Sequence, residues 1–126
     1  MSRKRSPPAQ AGLSIRVDLA SGLQIGPGKV ALLEAIAETG SISAAGRALG
    51  MSYKRAWDLV EALNRGCGEK VVIATPGGRD GGGTSLSPAG DAVIRLYREI
   101  EQASLDASRS RIRALNRLSP AAAAAD

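Results

Sequence analysis

The chain has 126 residues, a length suited to one domain, and carries 17 Lys and Arg against 12 Asp and Glu, a formal charge of +5. Histidine is absent and Cys67 is the lone cysteine, which removes the commonest general base, the commonest metal ligand, an internal disulfide and a zinc-binding cluster. No apolar run reaches the roughly 18–20 residues that span a bilayer, and no signal peptide is visible at the N-terminus. A cytoplasmic protein without metal, cofactor or enzymatic activity is expected.

Apolar residues make up 44% of the chain, yet there is one Trp, two Tyr and no Phe. The core is therefore expected to be aliphatic, and binding of single strands by aromatic stacking is poorly supported. The positive charge is concentrated at the ends: Arg3, Lys4 and Arg5 at one, Arg109, Arg111, Arg113 and Arg117 at the other. From Leu13 to Asp106 there are ten Lys and Arg against eleven Asp and Glu, a net charge of −1. Any affinity for a polyanion must come from local placement of cations and from the tails, since the domain itself is near neutral.

In chain order, residues 1–12 are basic and Pro-rich without periodicity. They read as a disordered tail, either solvated or acting as a basic arm along a nucleic acid. Leu13–Leu19 alternates apolar and polar and predicts a half-buried strand. Gly22, Gly26, Pro27 and Gly28 break the chain. Lys29–Thr39 predicts a helix with Val30, Leu33 and Ala37 on one face, flanked by Leu32 and Ile36, and with Gly40 as its C-terminal cap.

Ser43 is then a plausible cap for a short helix, Ala44–Leu49, rich in small residues, and Gly50 turns the chain. Ser52 caps a third helix, Tyr53–Asn64, with Ala56, Leu59, Val60 and Leu63 on one side and Lys54, Asp58, Glu61 and Arg65 opposite. Tyr53, Trp57 and Asn64 fall on a flank. After Gly66-Cys67-Gly68, Val71–Ala74 and Thr84–Leu86 read as two strands joined by a glycine-rich tip, a wing. Ser87-Pro88 opens a last helix, reaching about Leu115, with an apolar stripe of Val93, Leu96, Tyr97, Ile100, Ala103, Ser104 and Ala107. Residues 119–126 read as a disordered Ala-rich tail.

Residues 13–118 thus form one α+β, mainly helical domain: a winged helix-turn-helix with a long C-terminal helix suited to dimerisation. In a helix-turn-helix the second helix enters the DNA major groove and its first residues touch base edges. Here those residues are two hydroxyls and two cations, Ser52, Tyr53, Lys54 and Arg55. Lys54 and Arg55 are placed to reach guanine or phosphate. Asp58 either accepts from cytosine N4 or orients one of those cations. Trp57 suits packing better than base contact. Arg79 in the glycine tip suits a wing along a phosphate backbone, unless the hairpin has no role. The tip is not a phosphate-binding loop, because no Gly-Lys-Ser/Thr closes it and a strand follows. Serines have no histidine partner and the acids form no converging pair, so catalysis is not indicated.

The segments GSIS, SYKRAWD, the GG-x-x-GGG tip and LSPAG with LY in the last helix resemble ModE-type molybdate-responsive regulators and, more distantly, the winged helix of LysR-type regulators. The resemblance covers Leu13 to Glu101. It implies a homodimer built through the last helix, and DNA contact through Ser43, Ser52, Tyr53, Lys54, Arg55 and Arg79. In that family molybdate or tungstate binds C-terminal oxyanion domains; the chain ends at Asp126, so sensing by that route is not expected here. The implied targets are genes concerned with molybdenum or another metal, and the implied site is an inverted repeat on double-stranded DNA.

Val93, Leu96, Ile100 and Ala103, with Tyr97 alongside, are the candidate dimer stripe; packing of the helix on its own domain is the alternative. For the whole domain, the alternative is a winged-helix protein-interaction adaptor without sequence-specific DNA binding.

Overall fold

The computed structural model describes residues 12–75 and 83–120. Its elements are β1 (Val17–Asp18), β2 (Gln24–Ile25), α1 (Pro27–Thr39), α2 (Ile42–Ala48), α3 (Tyr53–Gly66), β3 (Val72–Thr75), β4 (Gly83–Leu86) and α4 (Pro88–Leu118). This is the expected winged helix-turn-helix order with a long final helix. Residues 1–11 and 121–126, most of the two expected tails, lie outside the described residues.

Helix starts follow local capping chemistry. Pro27 occupies the first turn of α1, where its missing N–H costs no helical hydrogen bond. The hydroxyl oxygens of Ser41, Ser52 and Ser87 accept from the backbone N–H groups of Ala44, Arg55 and Gly90, capping α2, α3 and α4. Ser41, not Ser43, therefore caps α2, and that helix runs from Ile42 to Ala48 rather than from Ala44 to Leu49. Both serines stand before an alanine-rich run; Ser41 wins because it directly follows the residue that ends α1.

The first three helices surround an aliphatic core. Val30, Leu32, Leu33 and Ile36 of α1 meet Ile42 and Ala45 of α2 and Ala56, Val60 and Leu63 of α3. Ala37, expected on the inner face of α1, is exposed, because Leu32 and Ile36 centre that face instead. Leu49, the last residue of the expected second helix, is also exposed. A Cβ on Gly46 would stand 3.1 Å from the Ala56 Cβ, so a side chain at position 46 would press on α3, and the close approach of α2 and α3 is eased by glycine there. Gly50 has φ +72°, the left-handed conformation that reverses the chain between the two helices.

The sheets are small. β3 and β4 pair antiparallel from Val72 opposite Leu86 to Thr75 opposite Gly83. The Thr84 N–H donates to the Gly40 carbonyl at 2.9 Å, fastening the hairpin to the end of α1. The expected strand Leu13–Leu19 shrinks to Val17–Asp18, paired with the unforeseen β2. The period-two pattern still holds: Ile15, Val17 and Leu19 turn toward the core while Ser14, Arg16 and Asp18 face water. Only the ladder is short, because Gly22 returns the chain after two paired positions.

A helix of 31 residues is about 46 Å long. The N-terminal half of α4 lies on the domain. Tyr97 is 2% exposed and its hydroxyl donates to the Ile15 carbonyl at 2.9 Å. Arg98 donates to both carboxylate oxygens of Glu34 on α1, at 2.8 and 3.1 Å, and to Glu101 at 2.8 Å. Those bonds, first the ones to Glu34, push the Arg98 pKa up and keep the guanidinium charged despite partial burial. Tyr97 therefore leaves the candidate dimer stripe, since its ring is spent within its own domain. Val93 is half-buried and packs on the same core. Leu96, Ile100 and Ala103 stay exposed, as that stripe requires.

Candidate nucleic-acid interface

The α2–α3 pair presents one helix, α3, with a sharply divided surface. Ala56, Val60 and Leu63 lie inward and fix its rotation about its own axis. Lys54, Asp58, Glu61 and Arg65 fall along the exposed ridge, each three or four residues from the next. The ridge pairs with itself. Lys54 Nζ donates to Asp58 Oδ2 at 2.9 Å, and Arg65 approaches Glu61 at 4.0 Å. Of the two roles open to Asp58, the structure shows it holding Lys54.

Arg55 is different. Its backbone N–H bonds the Ser52 hydroxyl, while its guanidinium, exposed beside the ridge, has no ion-pair partner among the described residues. On the other flank Tyr53, 60% exposed, meets Trp57 edge to face, with ring centroids 6.2 Å apart at 70°. Trp57, expected to pack, is exposed and meets only this neighbour's ring edge among the aromatic side chains described. Ser52, Tyr53, Lys54 and Arg55 thus come together on the first turn of α3. Ser43 sits apart on α2, where its hydroxyl accepts from Arg47 at 3.1 Å. Arg79 lies outside the described residues.

Two side chains position the hairpin in a way the sequence reading did not assign. The Asn64 Oδ1 accepts from the N–H groups of Val71 and Val72, at 2.8 and 3.2 Å. It thereby holds the start of β3 against the end of α3, and so sets the hairpin relative to the ridge. Ser87, foreseen as opening the last helix, also donates to the Lys70 carbonyl at 2.7 Å, tying the base of the hairpin to α4. A polar side chain just before a Gly-Cys-Gly break was the available clue for Asn64. The Arg98–Glu34 clamp spans 64 positions and had none. Burial, and then the charge of Glu69, push the Cys67 thiol pKa up, which favours the protonated form.

The family model for bacterial regulatory helix-turn-helix proteins of the lysR family matches residues 28–91, half of the chain, from the first turn of α1 into the first turn of α4. The chain belongs to this family. Among solved structures, this lysR-family fold is similar to the CbnR_DBD–DNA complex, with a TM-score of 0.53 and 27% identity over 69% of this chain and 95% of that one. Full-length CbnR complexed with its target DNA matches with a TM-score of 0.52 and 27% identity, over 67% of this chain and 28% of that one.

Protein relatives include the molybdenum-pterin-binding protein MopB of Rhodobacter capsulatus, 53% identical over 64% of this chain and 30% of that protein. The molybdenum transport protein ModE of Azotobacter vinelandii is 37% identical over 76% of this chain and 36% of its own length. The DNA-binding transcriptional dual regulator ModE of Escherichia coli K12 is 35% identical over 77% of this chain and 38% of its own. The chain thus spans about a third of the length of these relatives. No described helix is long and apolar enough to cross a membrane.

Proposed function

We propose that this chain is a homodimeric, sequence-specific binder of double-stranded DNA that regulates transcription in the cytoplasm. One observation carries the reading. The first turn of α3 presents Ser52, Tyr53, Lys54 and Arg55 outward from a rigid helix-turn-helix, on a fold similar to one solved bound to DNA. In this reading α3 enters the major groove, Lys54 and Arg55 reach base edges or phosphates, and Ser43 and Arg79 contact the backbone. Leu96, Ile100 and Ala103 of α4 meet a second copy, so the site is an inverted repeat. The similarity to a molybdenum-pterin-binding protein and a molybdenum transport protein supports target genes concerned with molybdenum.

Anisotropy of labelled duplexes tests this. DNA from upstream of the gene and its neighbours is compared with a scrambled duplex at physiological salt. Selective binding is expected, falling steeply as salt rises. Changing Lys54 and Arg55 together to Ala is expected to weaken specific binding at least tenfold, since each good base contact carries about 1–3 kcal/mol, while leaving the circular dichroism spectrum intact. Equal, weak binding of both duplexes by the unaltered protein would overturn the reading and favour a protein-interaction adaptor.

A further inference from the structure

Taking α3 as the helix that reads DNA, we infer that Asp58 is a specificity residue: it masks Lys54 in the free protein and releases it only to a site that offers Asp58 a cytosine amino group. The inference rests on the charge order along the exposed ridge. Lys54, Asp58, Glu61 and Arg65 run cation, acid, acid, cation, and each cation is paired to the acid four residues on or back. The ridge therefore shows DNA almost no net charge, and the domain around it is near neutral as well.

The Lys54 and Asp58 side chains are 84% and 62% exposed, so their bond contributes little to the helix. It is weak enough to be exchanged. Its consequence appears on DNA. A lysine bound to a phosphate or guanine leaves its former carboxylate unpaired and facing acceptors, a repulsive arrangement. Cytosine N4 supplies the donor an aspartate needs in the major groove. At a site with cytosine in reach both groups are satisfied after the exchange; elsewhere Lys54 gains a contact only by stranding Asp58. Arg55, which is not part of this ladder, supplies attraction that the exchange does not gate.

The test uses a duplex selected from a random library by the unaltered protein and a scrambled duplex of the same composition, titrated by anisotropy over a series of salt concentrations. Asp58→Ala is expected to raise affinity for the scrambled duplex about tenfold and to reduce the preference for the selected one by a similar factor. The salt slope on scrambled DNA is expected to steepen by about one, the share of one freed lysine. In a Lys54→Ala background the same Asp58 change is expected to have a diminished effect on scrambled-duplex affinity and to leave the salt slope without the added unit, since no lysine is freed. Reselection with Asp58→Ala is expected to lose one required cytosine. Equal changes on both duplexes, or an undiminished effect without Lys54, would overturn the inference. Should Asp58→Ala lose helix by circular dichroism, Asp58→Asn keeps the shape and removes the charge, with the same expectations for affinity and slope. An unaltered protein that recovers no preferred duplex would instead sink the DNA-binding reading itself.

Discussion

Helices α3 and α4 are both two-faced, but they leave opposite kinds of surface unpartnered. α3 buries Ala56, Val60 and Leu63 and turns a self-paired charged ridge to water. α4 buries Gly90 and Tyr97 and leaves Leu96 and Ile100 49% and 43% exposed, one turn apart, on a stem far longer than its domain requires. A charged ridge exchanges its ion pairs for contacts to a hydrated, charged polymer at modest cost. An apolar stripe gains by being removed from water altogether, at about 25 cal/mol per Å². In the proposed function the one face meets DNA and the other a second copy of the chain.

The sharpest way to break this contrast is to charge the apolar face. Leu96→Glu with Ile100→Glu would place four carboxylates in a two-fold interface, where each unpaired charge costs several kcal/mol. Sedimentation is expected to show a dimer for the unaltered protein and a monomer for the variant, with unchanged helix content, because both positions face outward. An unaltered chain that sediments as a monomer would assign the stripe no partner copy.

The next effect contrasts the two faces of α3. Leu63 is fully buried, so Leu63→Ala is expected to cost about 2–5 kcal/mol in urea denaturation, the lost transfer energy plus a cavity. Lys54→Ala on the opposite face is expected to stay within about 0.5 kcal/mol, as surface substitutions do. A large stability loss at Lys54 would mean that its ion pair is structural, and would weaken the case that the pair is there to be exchanged.

The division of α3 was legible in its sequence, because four apolar positions at helical spacing fix which way the helix faces and so which side chains remain outside. The paired strands of the hairpin, the Ser52 cap of α3 and the Ser87-Pro88 start of α4 were legible for the same reason: each is a local rule written in a few consecutive residues. What escaped was set by contacts distant in sequence. Tyr97 has the spacing of the Leu96–Ile100 stripe, yet the arrival of the Ile15 carbonyl, 82 positions away, draws it into the core. The strand β2 exists only because Val17 and Asp18 come round to meet Gln24 and Ile25. Nothing local distinguishes Glu34 from Glu38 as the partner of Arg98. The cap of α2 was a local question answered wrongly: Ser43 directly precedes the alanines, but Ser41, just after the Gly40 that ends α1, accepts from the Ala44 N–H.

Tyr97 also provides the smallest and most specific test, because it separates the two faces of α4 at a single position. Burial, and then the charge of Glu101, push its phenol pKa up from 10.0, with Arg98 opposing in part. The raised value means that the folded protein holds the proton more tightly than the unfolded chain. Stability from this group is therefore complete below about pH 10, the unfolded value, and is lost as pH rises through the folded value. Tyr97→Phe keeps the ring and removes the hydroxyl, leaving the Ile15 carbonyl without its donor. The expected cost at neutral pH is about 1 kcal/mol by urea denaturation. Above pH 10 the unaltered protein is expected to lose stability more steeply than Tyr97→Phe, so that the two curves converge. Sedimentation of Tyr97→Phe is expected to match the unaltered protein. A change in oligomeric state would return Tyr97 to the dimer face; parallel stability curves at high pH would show that its hydroxyl titrates as freely as in the unfolded chain.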